Sequence, residues 1–234
     1  MADNPRTVPF LARAPVTGET FSRELEQLRE SLLRMAGLVE SQIDEALLAL
    51  RSFDRVAANR VRMQDQSINE LFRQLRERVF QVISAQRLVG RDLRTLMGVQ
   101  YIAIELERIG DYAVRIGRRT STLASLPHGP LRPEFGLMGE LASQQVRDIL
   151  DALIEEDPAR AREVAAKDDE IDRLYHRLFD SLVEDFGQGA DAEDALRVVT
   201  LINIAHNLER IGDRVVNVAE DIIFLDSGQV VELG

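Results

Sequence analysis

An all-α fold, built as two tandem antiparallel three-helix bundles related by an internal repeat, is predicted by three features of the 234-residue chain. Apolar residues recur at steps of three and four over long stretches, the signature of one buried helical stripe. Pro and Gly are confined to a few interruptions, which fixes where helices end. The second half also repeats the polar landmarks of the first. Asp54 answers to Asp157 and Asp65 to Asp168 at a spacing of 103, then Asp92 to Asp194, Glu107 to Glu209 and Asp111 to Asp213 at 102. A repeat of this length points to one supersecondary unit used twice.

Six long helices follow in order. The first spans about 19–51, with Leu25, Leu28, Leu32, Met35, Val39 and Ile43 on one stripe. The second starts at Asp54, whose short side chain suits an N-cap, and extends to about 86. Val89-Gly90 breaks the chain before a third helix over about 91–122. Pro127, Gly129, Pro130 and Pro133 then form a linker, and a fourth helix covers about 134–155. Asp157-Pro158 places a cap before a proline at the first helical position and opens a fifth helix, predicted to run unbroken to Gly187-Gln188-Gly189. The sixth covers about 191–225, with Leu201, Ile204, Leu208, Ile211, Val215 and Val218 in 3-4 alternation. The expected organisation is an extension over 1–17, flexible because it carries Pro5, Pro9 and Pro15, then a first repeat over 18–123. A linker over 124–133, a second repeat over 134–226 and a tail over 227–234 complete it.

Composition narrows the function classes. Apolar residues make up 45% of the chain, enough for a core, but Trp is absent and only three Tyr occur, so aliphatic side chains must fill it. With 29 basic against 40 acidic residues the net charge is −11, a surface field that repels nucleic acid and suits cations or basic partners. The absence of Cys excludes disulfides and thiolate metal sites. No stretch approaches the apolar length of a membrane span, so a soluble, cytoplasmic protein without membrane insertion is expected. No nucleophile elbow, P-loop or Gly-x-Gly-x-x-Gly is present, and three scattered His do not suggest a catalytic triad.

What repeats most closely is Leu-Glu-Arg-Ile-Gly-Asp, at 106–111 and 208–213. Glu107 and Asp111 are four apart and share a helix face, as do Glu209 and Asp213. With Leu106 at a heptad a position, Glu107 and Asp111 fall at b and f, pointing to solvent. A second acidic pair lies on the preceding helix: Asp168 and Asp172 in the second half, Asp65 and Asn69 in the first. Folding each hairpin at its turn brings the two pairs level, to within about one helical turn. Two outward-facing patches of oxygen ligands result, suited to hard or borderline cations. The alternative is a solvated acidic face with ordinary ion pairs to Arg108 and Arg210. Gly110 and Gly212, mid-helix beside the core stripe, are expected to permit close helix approach. His206 shares the face of Glu209 but matches Ile104 in the first half, and is expected to be a surface residue.

The repeated hexapeptide resembles the signature of the PhoU family of phosphate transport accessory and regulatory proteins. Gly90-Arg91-Asp92-Leu93-Arg94 and Lys167-Asp168-Asp169-Glu170-Ile171-Asp172 resemble family motifs too, and the likeness covers about 20–225. The resemblance implies tandem three-helix bundles and a non-enzymatic negative regulator of phosphate uptake and phosphate-starvation signalling. It implies contact with a phosphate ABC transporter and a sensor histidine kinase, and a homodimer. It further implies multinuclear sites for iron, zinc, manganese or magnesium on the bundle surface. Carried over by residue, the metal ligands would be Asp65, Asn69, Glu107 and Asp111 in one site, and Asp168, Asp172, Glu209 and Asp213 in the other. A metal-free helical adaptor and a carboxylate-bridged metalloenzyme are the alternatives. Neutral Asn69 would weaken the first site, so the second is expected to hold metal better. Asn207, where the family often has an acid, and the loosened Asp194-Ala195-Leu196-Arg197 mark further inequality between the halves.

Overall fold

A computed structural model describes residues 18–86, 88–127, 129–186 and 191–233, and among them every regular element is helical. The helices are α1 (Glu19–Ser52), α2 (Arg55–Ala85), α3 (Arg91–Leu123), α4 (Pro133–Glu155), α5 (Pro158–Ala165), α6 (Asp168–Asp185) and α7 (Ala192–Ser227). The predicted N-terminal extension and the predicted turn at Gly187-Gln188-Gly189 lie outside the described residues.

The local signals act as physical chemistry requires. Asp54 Oδ1 accepts from the backbone N–H groups of Val56 and Ala57, and Asp157 Oδ1 from those of Ala159 and Arg160, so both caps satisfy donors the first turn leaves open. Asp191 caps α7, and Asp194 closes a capping box with it. Gly90 enters α3 with φ +61°, a conformation that favours glycine. Gly228, at φ +73°, ends α7 and donates its N–H to Phe224 O.

The predicted fifth helix is two helices, a correction to the sequence reading. Between α5 and α6, Ala166 and Lys167 take ψ near −14° and −11°, and Lys167 N donates to Val164 O in a tightened three-residue turn. No Pro or Gly marks the spot, so the sequence offered no breaker to read. The break puts Asp168, Asp169 and Glu170 in the first turn of α6, where the helix dipole favours acids. In the first repeat, α2 passes through the equivalent Asp65 without interruption.

α1, α2 and α3 form one bundle, and α4, α5 and α6 surround α7 in the other. The axis of the molecule is the antiparallel pair α3 and α7. Leu225 lies on Gly98 at one end of the pair, while in the middle Glu105 Oε2 accepts from Arg214 at 3.2 Å and from Asn217 at 3.1 Å. α1 also meets α4, where Leu47 sits 2.6 Å from where a Cβ on Gly139 would lie. One continuous apolar core therefore spans both repeats, from Phe21 and Leu25 through Leu106 and Ile109 to Leu208 and Ile211. Burying each such side chain contributes about 1.5–3 kcal/mol. No described helix is long and apolar enough to cross a membrane.

Candidate functional site

The motif residues divide as their heptad positions dictate. Leu106, Ile109, Leu208 and Ile211 are fully buried. Gly110 and Gly212 are buried too, and what they face is specific. A Cβ on Gly212 would overlap Asp168 Oδ1 and lie 3.2 Å from its Cγ and 3.3 Å from Gln145 Oε1. One on Gly110 would lie 2.8 Å from Gln42 Oε1 and 3.8 Å from Asp65 Oδ1. Each glycine of the motif thus leaves room for an acid and a glutamine from neighbouring helices.

The second cluster is the denser one. One carboxylate oxygen each of Asp168, Asp172 and Asp213 lie within 4.8 Å of one another, bringing α6 and α7 together as the hairpin argument requires. Glu209 stands at the rim, with His206 Nδ1 3.2 Å from its Oε2. Burial, then the charges of Asp172 and Asp213, push Asp168 up to about 7, while the adjacent Gln145 amide tempers the rise without closing a hydrogen bond of normal geometry. Burial and then Asp213 push Glu209 up to about 7, and burial raises Asp172. His206 is lowered, by burial first and then by Arg210, which disfavours its charged form beside Glu209. Arg210 pairs with Asp213. Asp168 Oδ1 and Asp172 Oδ1 are buried with no hydrogen-bond partner among the described residues, and Glu209 Oε2 is buried with the His206 ring nitrogen as its near neighbour.

The first cluster is assembled differently. Asp65 Oδ1 accepts from Gln42 Nε2 at 3.4 Å, and Asp65 Oδ2 accepts from Asn69 Nδ2 at 2.8 Å. Asn69 here presents its amide N–H to the neighbouring acid. Glu107 is raised by burial, then by Asp111 and Asp65, so the three acids feel one another. Asp111, 45% exposed at its side chain, lies 4.0 Å from Arg115.

The predicted outward orientation needs correction. The side chains of Glu209 and Asp213 are only 18% and 25% exposed. The b and f assignment considered the core of one bundle alone. In the folded chain, α6 covers one flank of the motif helix and the α3–α7 pairing covers the other. The carboxylates therefore sit in grooves, half withdrawn from water. Burial in turn raises their pKa values.

Sequence reasoning missed Gln42 and Gln145, each buried beneath its cluster. They could have been found, for they are related by the same spacing of 103 as Asp65 and Asp168, and each is a polar residue inside an apolar stripe. It also missed Asp221, which burial and then Glu105 push up to about 8 beside the central helix pair.

Oxygen donors alone, three of them within 4.8 Å of one another and those of Asp168 and Asp172 including a buried, unpartnered oxygen, fit a hard cation at the second cluster. In the first, Asp65 already has donors on both oxygens, a poorer fit.

Two copies of the PhoU domain match this chain, over 32–120 and 135–222. The chain belongs to the PhoU family. It is 32% identical over 219 residues to a phosphate-specific transport system accessory protein PhoU homolog of Clostridium acetobutylicum, covering 93% of this chain and 99% of that one. It is 36% identical over 211 residues to the homolog of Pseudomonas putida, covering 90% and 82% respectively. The crystal structure of PhoU from Pseudomonas aeruginosa superposes with a TM-score of 0.83 at 34% identity, over 89% of this chain and all of that one. The phosphate transport system regulatory protein PhoU of Streptococcus pneumoniae gives a TM-score of 0.81 at 27% identity, over 91% of this chain and all of that one. The fold class and the family expected from the repeated hexapeptide are thereby established.

Proposed function

We propose that this protein is an accessory protein of a phosphate-specific transport system: a cytoplasmic, non-enzymatic negative regulator of phosphate uptake and phosphate-starvation signalling. It contacts a phosphate ABC transporter and a sensor histidine kinase, and acts as a homodimer. The observation that carries this reading is the near full-length match to relatives named for that transport system. Deleting the gene is expected to derepress phosphate-uptake genes in high phosphate. Expression that stayed phosphate-responsive in the deletion strain would refute the role.

The second acidic cluster holds a divalent or trivalent cation such as iron, zinc, manganese or magnesium. Asp168, Asp172 and Asp213 supply oxygens, with Glu209 at the rim. The buried, unpartnered oxygens support this, because like charges in a groove are stabilised when a cation neutralises them. A cation there would lock α6 onto α7 and so rigidify the surface offered to partners. The first cluster binds more weakly, since Asn69 and Gln42 already serve Asp65. Metal analysis of purified protein beside an Asp168→Asn, Asp213→Asn variant tests the site. Negligible metal in both would favour a metal-free helical adaptor.

A further inference from the structure

A second feature of the α3–α7 pair adjoins the acidic clusters but is lined by no carboxylate. On one side of the pair, Arg115, Arg118, Arg119 and Thr122 of α3 face Asn203, His206 and Asn207 of α7 across a cleft of about 490 Å³. No carboxylate lines it, although the chain carries a net charge of −11. The three guanidinium groups are poorly neutralised. Arg115 stacks 4.8 Å over the Tyr112 ring and reaches Asp111 only at 4.0 Å. Arg118 feels the charge of Asp65. Arg119 has no ion pair or hydrogen bond among the described residues. Asn203 Nδ2 donates to Val199 O at 2.7 Å and Asn207 Nδ2 to Asn203 O, which holds both amides along the cleft with a second N–H each to offer.

The internal repeat provides a control within the molecule. At the related place on the other side of α3 and α7, Asn217, Glu220 and Asp221 stand where Arg115, Arg118 and Arg119 stand here, and Glu105 stands where Asn207 does. The fold accepts acids at these positions, so packing does not demand the arginines. Three arginines and two amides lining a cleft of ligand size match the oxygens of a phosphate-type dianion.

We propose that this cleft binds a phosphate-type oxyanion, either inorganic phosphate or the phosphate of a small nucleotide. The site adjoins the carboxylate clusters without using their oxygens, and it goes beyond the role given above. Its test does not depend on that role. The full chain is titrated calorimetrically with sodium phosphate and, separately, with AMP, at fixed ionic strength and with EDTA, so that no metal-bridged anion contributes. An Arg118→Gln, Arg119→Gln variant is compared with Arg55→Gln, Arg62→Gln, which removes the same charge from exposed positions of α2. Circular dichroism checks that all three proteins keep their helix content. Saturable binding of at least one ligand is expected, weakened tenfold or more by the cleft variant and less than twofold by the control. Preference for AMP would assign a nucleotide-borne phosphate, and equal or better binding of inorganic phosphate would assign the free ion. Absence of saturable binding for both ligands, or equal weakening by both variants, would overturn the proposal.

Discussion

Replacing Gly212 with alanine separates two effects that usually act together. A helix-interior Gly→Ala change stabilises by about 1 kcal/mol, because alanine loses less backbone entropy on folding. Gly37, exposed on α1 with nothing within 4 Å of a would-be Cβ, should show that gain in full. For a chain of this size it corresponds to a rise in Tm of roughly 2–4 °C. At Gly212 the new methyl would overlap Asp168 Oδ1 and crowd the Gln145 amide at 3.3 Å. Forcing extra volume into a packed site costs about 1–3 kcal/mol, which exceeds the helix gain. Gly212→Ala should therefore lower Tm by a few degrees while Gly37→Ala raises it. Gly110→Ala, whose nearest contact is Gln42 Oε1 at 2.8 Å, should fall between them. Displacement of Asp168 should also weaken cation binding in the Gly212 variant, read by titration with Mn²⁺. If Gly212→Ala raised Tm as much as Gly37→Ala and bound Mn²⁺ unchanged, Gly212 would not be there to seat Asp168.

The remaining predictions concern charge. Asp168 and Glu209 near 7 and Asp221 near 8, against ordinary values of 3.8 and 4.5, mean that the folded chain binds more protons than the unfolded one across that interval. Stability of the metal-free protein should fall as pH rises from about 4 to 8 and level off above, as denaturant melts at stepped pH would reveal; a flat profile would contradict it. A cation must displace those protons, so its increment in Tm should be larger at pH 8 than at pH 5.5. Asp221→Asn should stabilise the protein by about 1–3 kcal/mol above pH 8 and do little at pH 4, since a pKa displaced by one corresponds to about 1.4 kcal/mol and neighbouring acids share the effect. Asp168→Asn should reduce Mn²⁺ affinity by an order of magnitude or more, whereas Asp65→Asn should change it less than threefold; the reverse order would contradict the inequality of the two clusters.

Much of this fold was legible in the sequence because helices are local. Asp54, Asp157 and Asp191 state their capping roles in their chemistry, and the stripes through Leu106, Ile109, Leu208 and Ile211 state their burial in their spacing. The internal spacing located the hairpins, and the hairpins brought Asp168 and Asp172 to Asp213. The break at Ala166-Lys167 was not legible, for both residues are good helix formers and the turn is tightened without a breaker. Nor was the hydrogen bond from the Asn69 amide to Asp65, because the sequence does not fix which way a side-chain amide turns.

The sequence by itself determined six of the seven helix starts among the described residues, the two-fold repetition and the meeting of Asp168 and Asp172 with Asp213, all consequences of residue type, helical periodicity and turn position. Only the tertiary structure decided how deeply those carboxylates sit. Asp168 is buried where α6 packs on α7 beside Gln145 of α4, and α3 lies antiparallel against α7 through residues about 100 apart in the chain; no helical period encodes either packing. These packings turn a face expected to be solvated into grooves, where burial and neighbouring acids raise Asp168 and Glu209 to about 7, and the α3–α7 pairing sets Arg115, Arg118 and Arg119 opposite Asn203 and Asn207.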